Sequence, residues 1–103
     1  MEAKQPEEHS ALMLAYQVVT KLGYGHSRIM KIGDMVNYPT LRNIREGKNV
    51  KGSTERYYLR LFVSIINEEY ERCVQNGGEG ANELLKVMKN IFLADLQIKQ
   101  VKG

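Results

Sequence analysis

The chain has 103 residues, of which 43% are hydrophobic and 26% charged, and its formal net charge is +3. This composition is that of a globular domain with one small core and excludes a disordered chain. A single cysteine excludes an internal disulfide, and no run approaches the roughly 18 apolar residues that span a bilayer.

The first predicted helix covers residues 6–22. Pro6 suits a first helical turn, and the acidic residues that follow it complement the positive end of the helix dipole. Apolar residues then recur at helical spacing as far as Leu22. Gly23 follows where a helix commonly ends in a left-handed residue, so a turn is expected there.

Two short helices are predicted in the middle of the chain, separated by a turn of three residues. Ser27 is expected to cap the second helix, which weakens at Gly33 after about two turns. Asn37 is expected to cap the third helix, which has Pro39 in its first turn and stops at Gly47. Such a pair is typical of a helix-turn-helix.

A basic loop over residues 47–53 leads to a long fourth helix, capped at Ser53 or Thr54 and ending at Asn76. Its apolar stripe, which includes Cys73, has the spacing of a helix that faces a core. A glycine linker precedes a fifth helix over residues 81–99. The sequence therefore predicts an all-α fold, a compact bundle of about five helices that forms a single domain over residues 1–103.

Basic residues are concentrated in the middle of the chain. Residues 26–60 contain eight Lys and Arg against three acidic residues, a net charge of +5. The segments before and after it each carry −1. Clustering of this kind indicates a surface for a polyanion such as nucleic acid, with a solvated basic face that has no partner as the alternative.

The third helix is the candidate recognition helix, whose first turn would face base edges in the major groove of DNA. Arginine can pair with guanine and asparagine with adenine. The candidates for base contact are Tyr38, Thr40, Arg42 and Asn43. The candidates for phosphate contact are Ser27, Arg45, Lys48 and Lys51. The residues expected to be buried against the preceding helix are Met30, Val36, Leu41 and Ile44.

Other reactive residue types are expected to have structural roles. Tyr57 and Tyr58 are expected to pack, with contact between one of them and the DNA backbone as the alternative. Cys73 is expected in the core. His9 and His26 have no neighbouring ligand, so neither a metal site nor a cofactor is expected. Nothing in the sequence suggests a catalytic constellation, so an enzyme is not expected.

Residues 27–48 resemble the helix-turn-helix of the lambda repressor and Cro family. The match is best in VNYPTLRNIREGK, which has the polar cap, the apolar-x-x-apolar pair and the closing Glu-Gly-Lys of that family. Met35 stands where the family usually has a glycine. The resemblance implies a bundle of about five helices that binds double-stranded DNA as a dimer, with base contacts from residues 38–40 and 42–43.

The fifth helix has more apolar residues than one stripe requires, and such an excess indicates an interface. The candidate interface residues are Met88, Ile91, Phe92 and Leu96. A two-fold homodimer would set two recognition helices about 34 Å apart, which is one turn of DNA. The alternative is a monomer in which the whole apolar face packs within its own bundle.

The leading functional hypothesis is sequence-specific binding of double-stranded DNA by a cytoplasmic transcriptional regulator of bacterial or phage type. The sequence does not distinguish a repressor from an activator. No membrane partner is expected, because no run approaches the roughly 18 apolar residues that span a bilayer. The cytoplasmic location is expected because the N-terminus has no apolar signal segment and the single cysteine favours a reducing compartment. The alternative is a helical protein-interaction module whose basic loop binds an acidic partner without DNA.

Overall fold

The computed structural model describes residues 10–102, with side chains described for residues 10–96. This part of the chain contains five helices and no strand. The helices are α1 (Ala11–Lys21), α2 (His26–Ile32), α3 (Tyr38–Arg45), α4 (Gly52–Gln75) and α5 (Ala81–Lys102). The expected all-α bundle of five helices is confirmed.

Helix α1 begins at Ala11, later than expected. Ser10 has extended backbone, and its hydroxyl accepts the N–H of Met13 at 3.1 Å, so Ser10 is the N-cap. The expected start at residue 6 lies outside the described residues. At the other end Gly23 has a φ of +99°, which confirms the predicted glycine stop.

Two predicted N-caps are wrong. Helix α2 begins at His26 after Gly25, so Ser27 lies in its first turn. Helix α4 begins at Gly52 after Lys51, so the predicted cap at residues 53–54 also lies within the first turn. Neither observed N-cap makes a side-chain cap hydrogen bond. Gly25 and Lys51 have extended backbone, so each helix begins at the next residue, before the predicted serine or threonine cap.

The core lies between α1, α4 and α5, which pack against one another, while α1 also contacts α3. From α4 it contains Tyr58, Phe62, Ile65 and Ile66. Cys73 is half-buried and does not belong to this core, so its predicted core position is wrong. No helix in the described part of the chain is both long and apolar enough to cross a membrane. The five helices thus surround one apolar cluster, and α2 and α3 cover one side of it.

Candidate nucleic-acid interface

The turn between α2 and α3 is held by two tyrosines from the start of α4. The Tyr57 hydroxyl accepts the N–H of Met35 at 3.1 Å, and the Tyr58 hydroxyl accepts the N–H of Asn37 at 3.0 Å. Tyr58 is only 2% exposed. Two backbone donors of the turn are thus satisfied by a later helix, which fixes the point where α3 begins.

The sequence predicted packing for these two tyrosines, and that prediction is confirmed for Tyr58, which lies edge-on to the ring of Phe62. Tyr57 is half-buried. Their hydrogen bonds to the turn were not anticipated. No local pattern signals them, because donor and acceptor are more than 20 residues apart along the chain.

Gly33 lies where the turn comes closest to α4. A Cβ at this position would lie 2.7 Å from Val36 Cγ2, 2.8 Å from Leu61 Cδ2 and 2.8 Å from the Tyr57 hydroxyl. Its φ of −106° is accessible to any residue. Glycine is therefore needed here for space and not for backbone conformation.

Both predicted ends of α3 are confirmed. The Asn37 side chain accepts the N–H of Thr40 at 2.9 Å, and Pro39 lies in the first turn. At the other end Gly47 has a φ of +79°, and the N–H of Lys48 bonds to the carbonyl of Asn43 at 2.8 Å. These two caps limit α3 to 8 residues.

Helix α3 has one buried side and one accessible side. Leu41 and Ile44 are 0% and 2% exposed, as the sequence predicted, and Val36 is partly buried against the same core. Met30 is 37% exposed, so its predicted burial is wrong. Ile29 takes the buried position instead, because successive residues are about 100° apart around a helix and Ile29 is the one that faces the core.

The candidate base-contacting residues all lie on α3. Tyr38 and Arg42 are exposed, and Thr40 and Asn43 are half-buried. The ring of Tyr38 lies edge-on to that of His26, with centroids 5.5 Å apart, so Tyr38 extends back over the start of α2. The accessible side of α3 therefore presents a phenol, a guanidinium and an amide within two turns.

Three predicted DNA-contacting cations surround one carboxylate. Glu46 lies 3.7 Å from Arg42 Nε, 4.0 Å from Arg45 Nη2 and 3.3 Å from Lys48 Nζ. All four side chains are exposed, so each pair contributes at most about 1 kcal/mol. Glu46 had not been assigned a role, although its spacing of four residues from Arg42 is a signal for such a pair.

The remaining phosphate candidates lie on either side of α3. Ser27, in the first turn of α2, and Lys51, at the N-cap of α4, are both exposed. Arg28 was not among the candidates, and its guanidinium lies 4.0 Å over the ring of Tyr24. Its positive charge adds to the basic surface on the α2 side.

His26 connects α3 to α1. Its Nε2 lies 2.8 Å from the Tyr16 hydroxyl, and its other ring contact is Tyr38. Burial, followed by the charge of Arg45, lowers the pKa of His26, and burial raises the pKa of Tyr16. The neutral imidazole is therefore favoured. Among the described residues, no three His, Cys, Asp or Glu side chains are grouped so as to hold a metal ion.

The four predicted dimer-interface residues of α5 fall into a buried pair and an exposed pair. Met88 and Ile91 are 7% and 1% exposed because they pack against the chain's own core, so their assignment to an interface is wrong. Phe92 and Leu96 are each 52% exposed. The exposed stripe of α5, defined here as its exposed large apolar residues, consists of Leu85, Phe92, Leu93 and Leu96.

Comparison of the chain with protein-family models, with curated proteins and with solved structures found no match in any of the three. The geometry of the residues described above is therefore what bears on function.

Proposed function

We propose that the protein binds double-stranded DNA sequence-specifically through α3, as a transcriptional regulator of bacterial or phage type. The observation that carries the proposal is the anchoring of α3. Hydroxyls from α4 hold the turn before it, and Leu41 and Ile44 bury one of its sides. A short helix fixed in this way, with arginine and asparagine on the accessible side, suits the major groove.

Each candidate residue has a role in this proposal. Arg42 and Asn43 read base edges, with Tyr38 and Thr40 beside them on the first turns of the helix. Arg45, Lys48, Lys51 and Ser27 contact phosphates and set the position of the protein on the duplex. The net charge of +5 over residues 26–60 supports the proposal, because it attracts a polyanion of any sequence.

A homodimer belongs to the same proposal, with an interface revised to the exposed stripe of α5. Leu85, Lys89, Phe92 and Leu96 follow one another at intervals of four, three and four residues. This order is the same in both directions, so a two-fold axis between residues 90 and 91 of two antiparallel helices would set Leu85 of one copy against Leu96 of the other. It would set Phe92 against the aliphatic part of Lys89. Burial of the half-exposed side chains of Leu85, Phe92 and Leu96 would stabilise the pair.

The first test compares four alanine variants in titrations of a selected duplex and a random duplex. Arg42→Ala and Asn43→Ala should reduce the preference for the selected duplex by about 1–3 kcal/mol. Lys48→Ala and Lys51→Ala should weaken both duplexes equally and reduce the slope of affinity against salt. An absence of duplex binding by the unmodified protein at low salt would reject DNA binding.

The dimer is tested by sedimentation at tens of micromolar. Phe92→Glu and Leu96→Glu should convert a dimer into a monomer while the helical circular dichroism is retained. Asn90→Glu is the matched control, because Asn90 is an exposed polar residue of the same helix. A monomer before any substitution would contradict the dimer and leave DNA binding to be judged by the titrations.

A helical protein-interaction module is the second candidate function, and the α4–α5 side of the bundle favours it. A cavity of about 680 Å³ opens there, with Leu59, Val63 and Phe92 among its lining residues. In this candidate the basic loop after α3 binds an acidic polypeptide. It predicts a complex with polyglutamate and no binding of duplex DNA at low salt.

A further inference from the structure

Besides the exposed stripe of α5, a second group of exposed apolar side chains lies at the helix-turn-helix. Nine large hydrophobic residues are exposed in the described part of the chain, and four of them fall within residues 30–38. These four are Met30, Ile32, Met35 and Tyr38. Met35 is the most exposed of the nine, at 67%. A single exposed apolar residue is ordinary, whereas several in one short segment mark a contact surface.

The exposure of Met35 is a feature of a fixed backbone. Its own N–H is bound by the Tyr57 hydroxyl at 3.1 Å, and two residues later the N–H of Asn37 is bound by Tyr58. Gly33, at the start of the turn, is packed too closely to accept even a Cβ. The turn therefore presents the Met35 side chain from a defined position.

The charge around this turn indicates the kind of surface that would cover it. Residues 26–60 carry a net charge of +5, which favours a polyanion over an apolar or basic protein partner. Asp34, the residue before Met35, is exposed and is the one acid of the turn. A carboxylate disfavours an adjacent phosphate, which favours base edges over the phosphate backbone as the part of DNA that Met35 approaches.

Base edges in the major groove offer few apolar groups. Guanine, adenine and cytosine present hydrogen-bonding atoms there, whereas thymine also presents its 5-methyl group. An apolar side chain against the polar atoms would remove them from water without replacing their hydrogen bonds. Against a thymine methyl it removes apolar surface from water, which is favourable.

We propose that Met35, together with the ring of Tyr38 three residues later, contacts thymine methyl groups in the major groove. Met35 then acts as a specificity-determining residue outside the recognition helix. The preferred DNA site would have A·T pairs next to the pairs read by Arg42 and Asn43. This inference rests on the proposed DNA binding and names a part of the sequence that the protein selects.

The test replaces thymines of the selected duplex, one at a time, with deoxyuridine, which lacks only the methyl group. The unmodified protein should lose about fourfold in affinity at each contacted position, the effect of one methyl no longer buried. Met35→Ala should bind the thymine duplex correspondingly less well, and deoxyuridine at its position should cause no further loss. Because Met35 is 67% exposed, this variant keeps the core intact.

Val74→Ala is the matched control, because Val74 is 49% exposed at the far end of α4 and should keep the full response to deoxyuridine. Salt-dependent duplex binding without any response to deoxyuridine would overturn the inference and leave the proposed function standing. An equal response in Met35→Ala and in the unmodified protein would also overturn it. Failure of the unmodified protein to bind duplex DNA at low salt would instead reject the proposed function itself.

Discussion

Helices α3 and α5 differ in how much of their apolar surface is buried. In α3 the two large aliphatic residues, Leu41 and Ile44, are both buried, and the other residues, apart from Pro39, are polar or aromatic. In α5, Met88 and Ile91 are buried, but four further apolar residues form an exposed stripe. The difference shows that the width of an apolar face, and not its presence, decides whether a small bundle can cover it.

The two helices also differ in how they are held. The entry to α3 is bound by hydrogen bonds from Tyr57 and Tyr58, and its first residue contacts His26. Helix α5 packs on α1 and α4 through apolar side chains. Directional bonds fix the point where α3 begins, in addition to the packing of its buried side, whereas apolar packing holds α5 along one face and leaves another face accessible.

The largest expected effect is on the free energy of unfolding, and it should be found on the buried side of α3 and not on the exposed stripe of α5. Leu41→Ala should reduce the free energy of unfolding by about 2–5 kcal/mol, since Leu41 is 0% exposed and its loss leaves a cavity. Leu85→Ala, at 49% exposure, should change it by less than about 0.5 kcal/mol in the monomer. Urea denaturation at low protein concentration measures both, and equal losses would remove the distinction.

A smaller effect is expected when the anchor of α3 is weakened. Tyr58→Phe leaves the N–H of Asn37 without its acceptor and should reduce the free energy of unfolding by about 1–2 kcal/mol. Tyr57→Phe should lose less than about 1 kcal/mol, because its bond to Met35 is exposed and water can replace it. Denaturant midpoints compare the two, and a greater loss for Tyr57→Phe would contradict the order.

The next effect concerns Glu46, the carboxylate that lies among the cations of α3. Its removal should make the surface at α3 more positive than the surface of α5. Glu46→Gln frees Arg42 and Lys48 and should raise the affinity for duplex DNA by about twofold to fivefold at low salt. The increase should diminish as salt is added. Glu83→Gln changes the same charge on α5, where no contact with DNA is proposed, and serves as the control. Unchanged affinity in Glu46→Gln would show that these cations do not face DNA.

The smallest effect concerns the pH dependence of the link between α1 and α3. The pKa of His26 is lowered below its usual value of about 6.5 by burial and by Arg45. The unfolded chain therefore takes up this proton first, so stability present above pH 6.5 is lost as the pH falls below it. His26→Gln should lose less stability than the unmodified protein between pH 7.5 and 5.5. Thermal unfolding at the two pH values tests this, and an identical loss would contradict it.

Local sequence patterns predicted much of the fold and part of the candidate site. The caps of α3 at Asn37 and Gly47 follow from the preferences of those residues for special backbone positions, and both are observed. Periodicity likewise predicted burial of Leu41 and Ile44. Where two adjacent residues are equally apolar, as with Ile29 and Met30, periodicity in so short a helix could not identify the buried one.

The sequence by itself determined the helical class, the number of helices and the basic middle of the chain, because these depend on residue preferences and charge along a local segment. Only the tertiary structure decided which residues of α5 are exposed, why residue 33 is a glycine, and what holds the turn before α3. Each of these depends on atoms brought together from distant positions. The hydroxyls of Tyr57 and Tyr58 reach back more than 20 residues to the turn, and no local preference encodes that distance.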